Sequence, residues 1–349
     1  MTTRSASNPP QPFSSPSDHS KGIHIADWTI KTVKKPILSA TDADNASSSL
    51  HLPLPEICFG NNRLTLTHHP TNLKIECNCL DALKAVASST QVKVAHAAEW
   101  SKAQESSSHS DVTVQKPYDW TYTSLHPGTI SSTSTARPEF TPAPEGHPGI
   151  PLHLLARQDI PILFFDEVPL FEDELGDNGT AELVVRVVST SFITRNLYKR
   201  ASKRKEPNDC LQQRVNSFSI FVLSRLFIRV DHVLFRIFDV RTYVPLTTPP
   251  SPHSESIIPL EIIQELKGRQ ASYTHLKSRL EKERGKGDLA LLTDVGWVGA
   301  MLDKMGLEKE LEGLSVSEGK GEGNKGGKEE QVLPSWDGEG TTLQVLRIG

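Results

Sequence analysis

Residues 221–243 read Phe-Val-Leu-Ser-Arg-Leu-Phe-Ile-Arg-Val-Asp-His-Val-Leu-Phe-Arg-Ile-Phe-Asp-Val-Arg-Thr-Tyr, two apolar runs that meet at Asp231-His232. Phe221, Leu223 and Phe227 precede the junction, and Val233, Phe235 and Ile237 follow it at the period of two that a strand requires. The stretch is therefore a β-hairpin, with His232 at a turn position that glycine would fill more easily. One residue breaks the alternation. Asp239 falls on the face of Val233, Phe235 and Ile237, where another apolar side chain is due. Either it reaches a surface and meets a partner, or it has a buried counter-charge, Arg241 or Arg236.

Working outward, Leu183, Val185 and Val187 form one face of a further strand, preceded by Asp177-Asn178-Gly179, which has the chemistry of a tight turn. Ile23, Ile25, Trp28 and Ile30 mark a strand in residues 22–38, and Leu64 and Leu66 mark another after Gly60-Asn61-Asn62. Asn78 is placed to cap a short helix through Leu80, Leu83 and Ala87, with Asp81 in the first turn, where the helix dipole favours a carboxylate. Residues 92–95 read as a strand, and so does 116–124, Lys-Pro-Tyr-Asp-Trp-Thr-Tyr-Thr-Ser, whose Tyr118, Trp120 and Tyr122 alternate with Asp119, Thr121 and Thr123. Those rings suit core packing better than a ligand-stacking platform. Leu260, Ile263, Leu266, Tyr273, Leu276 and Leu280 carry helical spacing across 259–286, with a break near Gly268. A weaker helix follows at 291–312, and 343–348 has the pattern of a terminal strand.

The rest is polar. Residues 1–20 read as a disordered leader, 39–49 as a linker, 101–113 and 131–149 as loops, and 313–349 as a Gly/Lys/Glu-rich tail. The expected class is α+β: a mainly antiparallel sheet core in residues 21–290, short flanking helices, and long disordered loops and termini.

A net charge of −4 supplies no global field for nucleic acid, and no apolar run approaches membrane-spanning length. Cys58, Cys77, Cys79 and Cys210 include no Cys-x-x-Cys pair, and so few in a long chain imply thiols in a reducing compartment. The expectation is a soluble protein of the cytoplasm or nucleus. The histidines are scattered, and the motifs of zinc hydrolases, nucleophile elbows and phosphate-cradling loops are missing from the sequence. Two rival readings remain: a carboxylate-dependent metal enzyme using the acidic set around residues 166–174, and a nuclear or nucleic-acid-binding adaptor. A third reading is complementarity, in which carboxylates from separate elements meet at one surface and receive a partner's cationic groups. The partner-binding set under that reading is Asp81, Asp119, Trp120, Glu172, Asp173, Glu174, Ile237, Asp239 and Arg241, with no catalytic residue, metal or cofactor.

Six blocks then stand in order: residues 54–60 (Leu-Pro-Glu-Ile-Cys-Phe-Gly), Asp81-Ala-Leu, Ala98-Glu-Trp100, 116–122, 171–177 (Phe-Glu-Asp-Glu-Leu-Gly-Asp) and the 225–243 hairpin. Together they resemble the TIP-forty-one-like family. That resemblance implies a cytosolic regulator of TOR signalling that binds catalytic subunits of type 2A-like serine/threonine phosphatases and, in yeast, their Tap-type adaptor, as a monomer before complex formation. It also implies that the Asp81 turn and the second hairpin strand contribute to phosphatase binding. Relatives commonly carry Met-Asn-Asp where this chain has Ile237-Phe238-Asp239, so the aspartate carries over and the flexible thioether does not.

Removing residues 193–220 in thought joins Ser191-Phe192 to Phe221 and restores the expected block. The segment is basic, with Lys199, Arg200, Lys203, Arg204 and Lys205 in one run that resembles a nuclear-import signal but lacks interleaved aromatic rings. It reads as a lineage-specific loop or as translated sequence from an unspliced intron; its abrupt borders favour the second.

Overall fold

A computed structural model describes residues 9–51, 54, 57–87, 126–132, 138–155, 159–172, 178–195, 212–230, 232–246, 260–284, 289–316 and 339–348. These form two antiparallel sheets. The first runs β1 (Gln11–Ser15), β2 (Ser20–Ile25), β3 (Trp28–Val33), β5 (Arg63–His68), β6 (Leu73–Cys77) and β7 (Thr129–Ser131). The second runs β4 (Ile57–Cys58), β9 (Ile162–Glu172), β10 (Asn178–Arg195), β11 (Gln212–Val230), β12 (Leu234–Pro245), β13 (Leu260–Ser272), β14 (Gly340–Ile348) and β8 (Thr141–Pro142).

The sheets face each other across one core. Ile23, Trp28, Ile30, Leu66 and Ile75 come from the first, and Leu183, Val185, Val222, Val244, Ile262 and Leu346 from the second. On the second sheet these positions alternate, as antiparallel strands require, so its other face presents a different set. At one end of that face Phe227, Phe235 and Ile237 are covered by α4 (Tyr273–Arg284) and α5 (Val295–Val316) through Leu276, Leu280, Val298 and Leu302. At the other end Phe221, Ile263 and Val345 lie against Ile150 and Leu155, the latter in the short helix α3 (Leu152–Leu155).

The 221–243 hairpin is present as β11 and β12. His232 takes φ 60° in the left-handed region, and Val233 N–H donates to the Val230 carbonyl at 3.0 Å to close the turn. The α+β class with antiparallel sheets is as the sequence implied.

Several local expectations differ. Residues 260–272, read as helix, are strand β13. Buried between β12 and β14, it has Ile262, Ile263 and Gln264 inside in succession, which erases the alternation and leaves a spacing that mimics a helix. The helix begins only at Tyr273. The polar linker at 39–49 is helix α1 (Ala40–Leu50), started by Ser39, whose Oγ accepts the Asp42 N–H at 3.2 Å. Within the stretch read as a disordered leader, Gln11–Ser15 pairs with β2, and within the loop at 131–149, Thr141–Pro142 pairs with β14. Asn178 and Gly179 belong to β10 and not to a turn, and the Gly179 backbone lies so close to the Phe171 ring that a Cβ there would be 2.2 Å from it. The strands read at 92–95 and 116–124 lie outside the described residues.

The 193–220 segment also differs from its reading. β10 and β11 stay paired from Asn178↔Arg229 to Arg195↔Gln212, so residues 193–195 and 212–220 are ladder partners, and Ile220 is a core residue. Residues 196–211 lie outside the described residues.

Candidate functional site

Helix α2 (Cys79–Ala87) follows β6 through Asn78. Asn78 Oδ1 accepts the Asp81 N–H at 2.8 Å, while its amide donates back to Asp81 Oδ2 at 2.8 Å, a reciprocal cap. Lys84 Nζ at 2.6 Å and Thr129 Oγ1 at 3.1 Å complete the shell of Asp81. Burial alone would raise this carboxyl, but the bonds from Lys84, Asn78 and Thr129 outweigh it and hold its pKa below the usual carboxylate range. Asp81 is thus engaged within the chain as the anchor of a helix start.

Beside that turn the two sheets part into a small, partly open cleft of about 90 Å³. Leu183, Leu226, Phe238 and Val240 of the second sheet line it opposite Leu64, Cys77 and Ala82. Arg63, Asn78, His126 and Ser224 add polar groups to an otherwise apolar wall. His126 Nε2 is buried without a hydrogen bond among the described residues, and burial depresses the ring's pKa despite the nearby Asp81 charge, which keeps it neutral at physiological pH.

Asp239 takes the opposite face. Cross-strand register lines up Glu182, Arg225, Asp239 and Lys267 in one transverse row between the two apolar clusters of the helix-covered face. Asp239 is 0% exposed. Arg225 contacts it through Nε at 2.7 Å and Nη2 at 3.0 Å, Arg269 Nη2 lies at 2.6 Å, and Arg241 Nη2 at 3.4 Å. Arg269 and Lys267 continue to Asp303 on α5 at 2.7 and 2.8 Å, and Arg241 pairs with Glu265. Of the two counter-charges anticipated, Arg241 is the minor one, and Arg236 bonds Gln270 instead, at 2.9 Å. Every charge in this row has an opposite neighbour, which is what a buried carboxylate requires.

The sequence-selected residues are therefore not gathered at one surface. Asp81 stands beside the cleft, whereas Ile237 and Asp239 are buried under α4 and α5 on the far face of the second sheet, with Arg241 beside them. Glu172 is exposed at the end of β9, opposite Ile57 of β4. Asp119, Trp120, Asp173 and Glu174 lie outside the described residues. Cleft residues such as Leu226, Phe238 and Val240 are not among the sequence candidates, whose hairpin members lie on the other face. Their own alternation on the even-numbered face was the available signal.

Among the described residues no group of three or more His, Cys, Asp or Glu side chains is placed to hold a metal ion, and no helix is long and apolar enough to cross a membrane.

The TIP41-like family profile matches residues 57–196 and 210–277. A TIP41-like protein of Dictyostelium discoideum is 31% identical over 307 residues, covering 86% of this chain and 95% of that protein. The type 2A phosphatase activator TIP41 of Saccharomyces cerevisiae is 31% identical over 299 residues, covering 81% and 72%. A TIP41-like protein of Homo sapiens is 34% identical over 218 residues, covering 62% and 68%. The chain belongs to the TIP41-like family. Its profile match breaks only across residues 197–209, well short of the full 193–220 segment.

Proposed function

We propose that this protein is a non-catalytic regulator of type 2A-like serine/threonine phosphatases in TOR signalling, binding the catalytic subunit and, in a larger assembly, a Tap-type adaptor. The observation that carries the reading is the apolar cleft between the two sheets, edged by Arg63, Asn78 and His126. An extended segment of a phosphatase fits such a site: apolar side chains enter the cleft while the edge groups fix orientation. The names of the relatives from Saccharomyces cerevisiae and Schizosaccharomyces pombe, both type 2A phosphatase activators, support the choice of partner. Binding at the cleft, and not through the Asp239 row, is the physical form of the proposal, because opening that row would strip a buried carboxylate of its guanidinium partners.

The test is capture of purified phosphatase catalytic subunit by the full chain and by Ala82→Trp, which fills the cleft from α2, with unfolding curves run in parallel. The parent retains the subunit, and Ala82→Trp loses it without losing stability. Equal capture by a stably folded Ala82→Trp overturns the cleft as the site, and no capture by the parent overturns the partner.

A further inference from the structure

Two of the cysteines meet. Cys58 sits on β4, the edge strand of the second sheet, paired with Phe171 of β9. Cys79 opens α2, which follows the first sheet. Their sulfur atoms are 4.0 Å apart, close to van der Waals contact, although one residue is on an edge strand and the other on a helix. Cys58 is 4% exposed, and Cys79 lines the cleft, which gives a small solute a path to the pair.

We propose that Cys58 and Cys79 form a reversible thiol–disulfide pair, oxidised by hydrogen peroxide, that staples the edge of the second sheet to the first turn of α2. In the first step the Cys58 thiolate attacks one peroxide oxygen. The O–O bond breaks, a sulfenic acid forms on Cys58, and the departing hydroxide takes a proton to become water. In the second step the Cys79 sulfur gives up its proton and attacks the Cys58 sulfur. An S–S bond forms and a second water leaves, so two thiols lose two electrons to a peroxide that is fully reduced.

The environment separates the two roles. The hydrogen bond from Cys79, helped by the Gly60 backbone, lowers the Cys58 thiol against the effect of burial, while that same bond and burial raise Cys79. Bringing the sulfurs from 4.0 Å to the roughly 2.05 Å of a disulfide requires a movement of about 2 Å, within reach of side-chain rotation plus a small shift of a two-residue edge strand. Cys77 is the wrong partner by environment. Burial, with the Glu76 and Asp81 charges, pushes its thiol up to about 12, and it lies on β6, where Gly128 packs over its sulfur.

The experiment treats the reduced full chain with hydrogen peroxide and follows intact mass and non-reducing peptide maps. A parallel Cys77→Ser/Cys210→Ser variant leaves only this pair. The expected result in both is a mass lower by two hydrogen atoms, a Cys58–Cys79 cross-linked peptide, and full reversal by dithiothreitol. Cys79→Ser instead accumulates a dimedone-reactive sulfenic acid on Cys58. Alkylation of both thiols after peroxide treatment overturns the proposal, as does a cross-link that joins Cys77 or Cys210 and omits this pair. The parent chain's map decides the matter even where a variant fails to fold, and it does so independently of phosphatase binding.

Discussion

Arg225 and Asp239 stand directly opposite each other in the β11–β12 ladder, and the guanidinium closes on the carboxylate through Nε at 2.7 Å and Nη2 at 3.0 Å. Arg269, one strand further on, adds a contact at 2.6 Å. Asp239→Leu removes the carboxylate on which the Arg225, Arg269 and Arg241 guanidiniums converge in a largely dry row, so it is expected to cost about 3–5 kcal/mol of folding stability. Urea unfolding checks this. A variant as stable as the parent would contradict the buried-pair geometry, and any loss of phosphatase capture by Asp239→Leu has to be judged against its unfolding curve.

Acid is expected to weaken the fold in two stages. Asp166, buried where the sheets join, contacts Lys21 at 2.6 Å, Lys34 at 2.7 Å and Thr32 at 2.5 Å. Burial pushes Asp166, Asp81 and Asp303 up, but their hydrogen bonds outweigh it and hold all three below the ordinary 3.8. Their stabilisation is fully present above 3.8 and is lost as pH falls through the depressed folded values. His68 and His126 act earlier. Burial holds both below 6.5, so the unfolded chain takes up their protons first and stability starts to fall below that pH. Chemical denaturation from pH 7 to pH 2 checks the profile, and Asp166→Asn is expected to shrink the acid stage without moving the histidine stage.

Asn62 is buried and ties the segment after β3 to β9: its Oδ1 accepts the Lys35 N–H at 2.6 Å, and its Nδ2 donates to the Pro169 carbonyl at 2.8 Å. Asn62→Ala leaves both backbone groups unmatched, an expected loss of about 1–3 kcal/mol for each that stays dry. Thermal unfolding measures it, and a change below about 1 kcal/mol would mean that water replaces the amide.

Gly22 on β2 admits no side chain, because a Cβ there would lie 2.2 Å from the Ile30 backbone oxygen and 2.8 Å from the Phe13 ring. The ring can move, but the carbonyl cannot without disturbing the β2–β3 ladder. Gly22→Ala is expected to cost about 1–3 kcal/mol or more, read by urea unfolding.

Residues 196–211 connect a ladder already closed at Arg195↔Gln212. Replacing them with Asn-Gly is expected to preserve the fold and to raise stability by roughly 1–2 kcal/mol through reduced loop-closure entropy. Unfolding and phosphatase capture check it. Loss of the fold would show that the segment packs on the body of the protein.

Short-range physics was legible in the chain. Alternation marked β2, β5 and the hairpin of β11 and β12, the reach of Asn78 to Asp81 marked the start of α2, and His232 marked a tight turn. Each depends on neighbours within a few residues, so composition and spacing carry the signal. β13 differs for a reason that is not local: paired on both edges, it buries Ile263 on the face of Glu261, Glu265, Lys267 and Arg269, and Gln264 on the face of Ile262 and Leu266, which blurs its period. The same holds for the site. Asp239 announced itself as a carboxylate out of place, but its partners Arg225 and Arg269 come from neighbouring strands, and strand register set that meeting. The cleft, and the contact of Cys58 with Cys79, exist only where one sheet lies on another, an arrangement decided by burying two apolar faces together.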